Sequence, residues 1–149
     1  MLDDIDYAAI FREIAGEFTD ADDCGEIASY IPELGKVDPN KLGIHLTTVD
    51  QQHYAFGDSA ETFSIQSIAK VFSLTLALKI MGKDIWERIG VEPSGSAFNS
   101  LVQLEYERGI PRNPFINSGA IVVCDILASC LSDPKTELLE FIRVSSGIP

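Results

Sequence analysis

The sequence predicts a domain of mixed α and β class. Three observations carry this: an amphipathic apolar stripe near the N-terminus, an alternating segment that turns back on itself, and later helices, two of them strongly apolar. A lone hairpin is marginal as a sheet. Either the strands lie flat against an apolar helix, or the sheet's remaining strands lie outside this chain.

Tyr7, Phe11, Ile14 and Phe18 recur on one side of a helix expected from about Asp4 to Phe18. Asp20 to Asp23 form an acidic turn, and a second short helix is expected up to Ile31, ended by Pro32. From Leu42 to Val49 the pattern alternates, with Leu42, Ile44 and Leu46 on one face and His45 and Thr47 on the other, as in a half-covered strand. Asp50-Gln51 reads as a turn and His53 to Phe56 as the returning strand, closed by Gly57-Asp58. After Phe63, apolar residues from Ile68 to Met81 occupy nearly every side of a helix that Gly82 ends, which predicts burial. Gly90 to Pro114 is turn-rich, with a short helix near Ser100 to Arg108. Ala120 to Leu131 is a second strongly apolar helix. Asp133-Pro134 caps and starts a last one that ends near Ser146-Gly147.

Charge and cysteine content narrow the function classes. The 149 residues carry 11 Lys plus Arg against 23 Asp plus Glu, a net charge of −12. That balance argues against nucleic acid and anionic membrane surfaces, which require clustered cations. Met1-Leu2-Asp3-Asp4 lacks the basic-then-apolar start of a secretory leader, and no apolar run reaches spanning length. The three cysteines, Cys24, Cys124 and Cys130, are odd in number and lack C-x-x-C spacing, which fits buried reduced thiols in a cytoplasmic protein. With only His45 and His53, no His/Cys cluster has zinc spacing, and no metal site is expected. Asp20, Asp22 and Gly25 resemble a calcium loop, but Cys24 and Ile31 stand where ligands are required.

Ser67-Ile68-Ala69-Lys70 matches S-x-x-K. Three positions apart on a helix, the two side chains share a face. A serine hydroxyl requires a neighbouring base, and a lysine in an apolar setting is disposed to serve as a neutral amine. A serine at a helix N-terminus also has unpaired N–H groups beside it to hold an oxyanion. The bland alternative makes Ser64 an N-cap and Lys70 a snorkelling surface residue. Ser132-Asp133-Pro134-Lys135 matches the same pattern and is better explained as a capping turn.

Four blocks in order resemble the serine-dependent glutaminases: Tyr30-Ile31-Pro32-Glu33-Leu34; Phe63 to Val71; Glu92 to Ser96 leading to Phe98-Asn99-Ser100; and Pro111 to Ala120. The resemblance covers roughly Gly25 to Pro149. Its small departures, Gly35, Ala69 and Ser118, remove no reactive group. It implies the N-terminal portion of a β-lactamase/DD-peptidase-like αβα sandwich, a hairpin with a mainly helical region, and residues 1–149 as one incomplete glutaminase domain. It also implies hydrolysis of L-glutamine to L-glutamate and ammonia without a cofactor, in a homo-oligomer, dimer or tetramer. By the same resemblance Ser67 is the nucleophile and Lys70 its base. Tyr30 stands near the nucleophile and the bound amino acid, Gln66 borders the pocket, and Asn117 holds the polar head of the substrate. On local sequence alone, Asn117 reads instead as an N-cap of the Ala120 helix.

Family members are longer. The part beyond Pro149 would supply an acidic residue for the substrate's amino group, a second Asn, further tyrosines and the strand that completes the oxyanion hole. The expectation is therefore an N-terminal piece with little or no activity alone. Two rival readings share these residues: a β-lactamase or penicillin-binding type of acyl hydrolase, and an inactive module that binds full-length subunits.

Overall fold

The computed structural model describes residues 5–19, 25–100 and 102–147. The expected acidic turn at Asp20 to Asp23, the Asp4 helix start and Cys24 lie outside them. The chain divides into two units, residues 1–64 and 65–149.

In the first unit, helix α1 spans Tyr7–Thr19. Asp6 begins it by accepting the Ala9 backbone N–H at 2.9 Å, so one orphan donor of the first turn is satisfied. The buried line along α1 is Phe11 and Ala15, with Tyr7 tilted against the Tyr54 ring at 4.9 Å. Ile14 and Phe18 of the expected stripe are exposed. A two-stranded ribbon packs against α1 and covers only part of the stripe.

That ribbon pairs β1 (Gly43–Thr47) with β2 (His53–Gly57), antiparallel, from Gly43 opposite Gly57 to Thr47 opposite His53. Ile44, Leu46, Tyr54 and Phe56 point to the half-buried face, so the alternation read from sequence is the alternation observed. Gln51 takes a left-handed φ of 65° in the turn, where Thr48 N–H donates to Gln52 O at 3.0 Å. Gly57, at φ 60°, closes the far end: a Cβ there would overlap the Leu42 carbonyl oxygen. Among the described residues, the short helix expected up to Ile31 is not formed. Residues 25–28 are irregular and turns follow, with a 3₁₀ turn at Leu34–Lys36. Too few residues separate this stretch from Pro32 to offset the cost of helix nucleation.

The second unit holds α2 (Ala69–Met81), α3 (Val102–Tyr106), α4 (Asn117–Cys130) and α5 (Pro134–Ser146). Gly82, at φ 59°, ends α2 and opens a 3₁₀ run to Glu87 that the sequence did not announce. Leu76 and Ala77 of α2, Val123, Ile126 and Leu127 of α4, and Ile85 and Ile89 between them form the core. Phe141 and Leu138 of α5 pack against it. Asp133 caps α5 by accepting Thr136 N–H at 3.2 Å, Pro134 stands in the first turn, and Gly147 is left-handed at φ 67°. The Ser132–Lys135 stretch is therefore the expected capping turn.

Two further expectations fail here. Helix α2 is not buried on every side, because Val71 is 51% exposed and Thr75, Lys79 and Ile80 are exposed as well. On α4, Ile121, Cys124 and Cys130 are likewise exposed, so the thiols expected inside are outside among the described residues. Each helix has more apolar surface than this unit can cover.

Candidate active site

Ser67 lies in a 3₁₀ turn, Gln66–Ile68, that leads directly into α2. Ile68 N–H donates to Ile65 O at 3.1 Å as the turn closes. Gln66, immediately before Ser67, holds a left-handed φ of 45°, a region unfavourable for a residue with a side chain. The serine thus stands on a sharp, strained entry to the helix, with its side chain exposed.

Lys70 follows one turn later and is half-buried. Its Nζ donates to Asn117 Oδ1 at 2.8 Å and to the Phe115 carbonyl oxygen at 2.9 Å. The Phe98 ring centroid lies 6.0 Å from the same nitrogen. Ser67 and Lys70 are not hydrogen-bonded to each other.

Asn117 is the first residue of α4 and does not cap it. The cap position belongs to Ile116, with no side-chain capping bond, and Asn117 points its Oδ1 at Lys70. Its backbone N–H donates to Phe98 O at 2.9 Å. The loop before α4 is held by Asn113, which sequence reasoning quoted within a motif but did not single out. Asn113 Oδ1 accepts the N–H groups of Phe115 (3.0 Å) and Ile116 (3.2 Å), and its Nδ2 donates to Glu92 O at 2.9 Å. The signal was present as Asn-Pro, a turn initiator whose side chain bonds to the backbone just ahead.

Lys70 and Asn117 are thus brought together, with Ser67 one turn before Lys70. Tyr30 belongs to the first unit, on a turn before the Leu34–Lys36 segment, and is 84% exposed. A small cavity of about 120 Å³ is lined by Lys70, Ser73, Ala120 and Cys124. A larger one of about 490 Å³, in the first unit, is lined by Asp38, Lys41, His45, Asp58 and Glu61 and contains none of the candidate residues. Among the described residues no group of His, Cys, Asp or Glu is arranged to hold a metal. No described helix is long and apolar enough to cross a membrane.

The comparisons with known proteins agree in kind. The family described as Glutaminase matches residues 25–148. A glutaminase of Saccharophagus degradans is 71% identical over 99% of this chain and 48% of its own length. One of Christiangramia forsetii is 59% identical over 96% and 47%. A solved probable glutaminase, ybaS, superimposes with a TM-score of 0.77 at 29% identity, covering 93% of this chain and 46% of that one. A probable glutaminase of Bacillus subtilis gives 0.61 at 38% identity, over 70% and 33%. The chain spans about half the length of the curated relatives it matches.

Proposed function

The chain belongs to the glutaminase family, with the β-lactamase-like fold its solved members share, and from that premise we propose that it carries the nucleophile and base of a serine glutaminase. The two units would form part of one catalytic domain. The observation that supports this most directly is the tether of Lys70 Nζ to Asn117 Oδ1 and Phe115 O, one helical turn from Ser67.

In this reading Ser67 Oγ attacks the side-chain carboxamide carbon of L-glutamine while the lone pair of Lys70 Nζ takes the hydroxyl proton. The tetrahedral oxyanion is held by backbone N–H groups, that of Ser67 among them. Lys70 returns the proton to the departing nitrogen, and ammonia leaves. Water then attacks the γ-glutamyl ester by the reverse path, giving L-glutamate and free Ser67. Asn117, Gln66 and Tyr30 would contact the substrate. The remaining contacts to its amino and carboxylate groups would come from the length of the relatives that this chain does not span. A cytoplasmic location and a homo-oligomer, dimer or tetramer, complete the proposal.

The test is ammonia release from L-glutamine by the chain alone and by the chain continued with the second half of its Saccharophagus relative. We expect little or no turnover alone, turnover in the joined protein, and a loss of about 1,000-fold or more in kcat for Ser67→Ala. A joined protein without turnover, or a fully active Ser67→Ala variant, would refute the assignment.

A further inference from the structure

We propose that Asn113 is a positioning residue for Lys70, acting through the carbonyl of Phe115. The inference rests on the reading of Lys70 as the base. One of the two acceptors that orient the amine is a main-chain oxygen, Phe115 O, so the base is only as well placed as the loop that carries that oxygen. Five hydrogen bonds fix this loop. Asn113 Oδ1 gathers the N–H groups of Phe115 and Ile116 into an Asx-type turn. Its Nδ2 ties the turn to Glu92 O. Around that tie, Gly90 N–H donates to Pro111 O at 2.7 Å and Glu92 N–H to Arg112 O at 2.8 Å, so residues 90–92 brace 111–113 from behind.

The loop also leans on the start of α4. Gly119 faces the Asn113 carbonyl so closely that any Cβ there would overlap its oxygen. Asn113 therefore joins two parts of one clamp: Phe115 O on the loop it folds, and Asn117 on the helix against which its own backbone is pressed. Both ends of that clamp bind the Lys70 nitrogen.

The test reads the Lys70–Phe115 bond directly and then its effect on catalysis. In the 149-residue chain, Lys70→Met is expected to move the Phe115 carbonyl ¹³C resonance. The same change made in Asn113→Ala should move it much less, because the bond it removes is already lost. Asn113→Ser keeps a hydroxyl acceptor for the two N–H groups and should restore the response. In the joined, active protein, Asn113→Ala should lower kcat by about 10- to 100-fold with KM little changed, and Asn113→Ser should recover most of it. A folded Asn113→Ala chain that retains the full Lys70-dependent shift overturns the proposal. Should Asn113→Ala not fold, a folded Asn113→Ser chain without the response overturns it equally. A wild-type joined protein that releases no ammonia defeats the glutaminase reading instead, and the carbonyl response still decides the role of Asn113.

Discussion

Asn117 occupies the start of a helix without serving as its cap, and that single departure from local habit marks a side chain reserved for something else. A capping role would turn the amide back to its own backbone; here it faces Lys70 on another helix. Gly119, two residues on, is reserved in a different way, since only a residue without Cβ allows the loop at Asn113 to approach. Gly119→Ala should destabilise the chain by about 2 kcal/mol despite the better helix propensity of alanine, because the overlap is with main chain that cannot rotate away. Urea unfolding of the two proteins measures this, and equal midpoints would refute it. Ser67 and Lys70 stood out as candidates from a tetrapeptide and the blocks around it. Asn113 was not, because its work is done on backbone atoms, and a turn residue that holds a site looks in sequence like any other turn residue.

At the scale of elements, helix ends proved readable where a side chain or a special φ makes the end. Asp133-Pro134 and Gly147 bracket α5 where expected, and Gly82 stops α2. The 3₁₀ entry to α2 and the 3₁₀ run after it carry no comparable residue signal. The cap of α5 also has a pH signature. Hydrogen bonds from Thr136, side chain first and then backbone, hold the Asp133 carboxyl below its ordinary value. A lowered value in the folded state means the cap's contribution is full above the unfolded carboxylate range, near 3.9, and fades as pH falls through the folded value. Asp133→Ala should therefore melt a few degrees below wild type at neutral pH, and the gap should close in strong acid. Thermal unfolding followed across pH tests this; a gap independent of pH would show that the charge plays no part.

For the whole molecule, the apolar surfaces were legible in kind but not in extent. The pattern of α2 announced burial on all sides and that of α4 a strongly apolar helix, yet Val71 and Ile121 stand half exposed or more, because a helix pattern shows how much apolar surface there is and not what covers it. The relatives are about twice as long, and uncovered apolar surface of this kind promotes association. The 149-residue chain should enhance the fluorescence of an apolar dye and sediment as more than a monomer. Joined to the second half of its relative, it should lose the dye signal. A monomeric chain that leaves the dye dark would contradict this.

Among the described residues, no further strand pairs with either outer margin of the β1–β2 ribbon. Each strand spends one side of its peptide groups on its companion and keeps the other side open, so newcomers can be stitched on at either border without unpicking the existing seam. The alternation that puts Ile44, Leu46, Tyr54 and Phe56 on one face, with the turn at Gln51, holds the seam in register while that happens. Whatever widens this ribbon inherits its alignment ready-made.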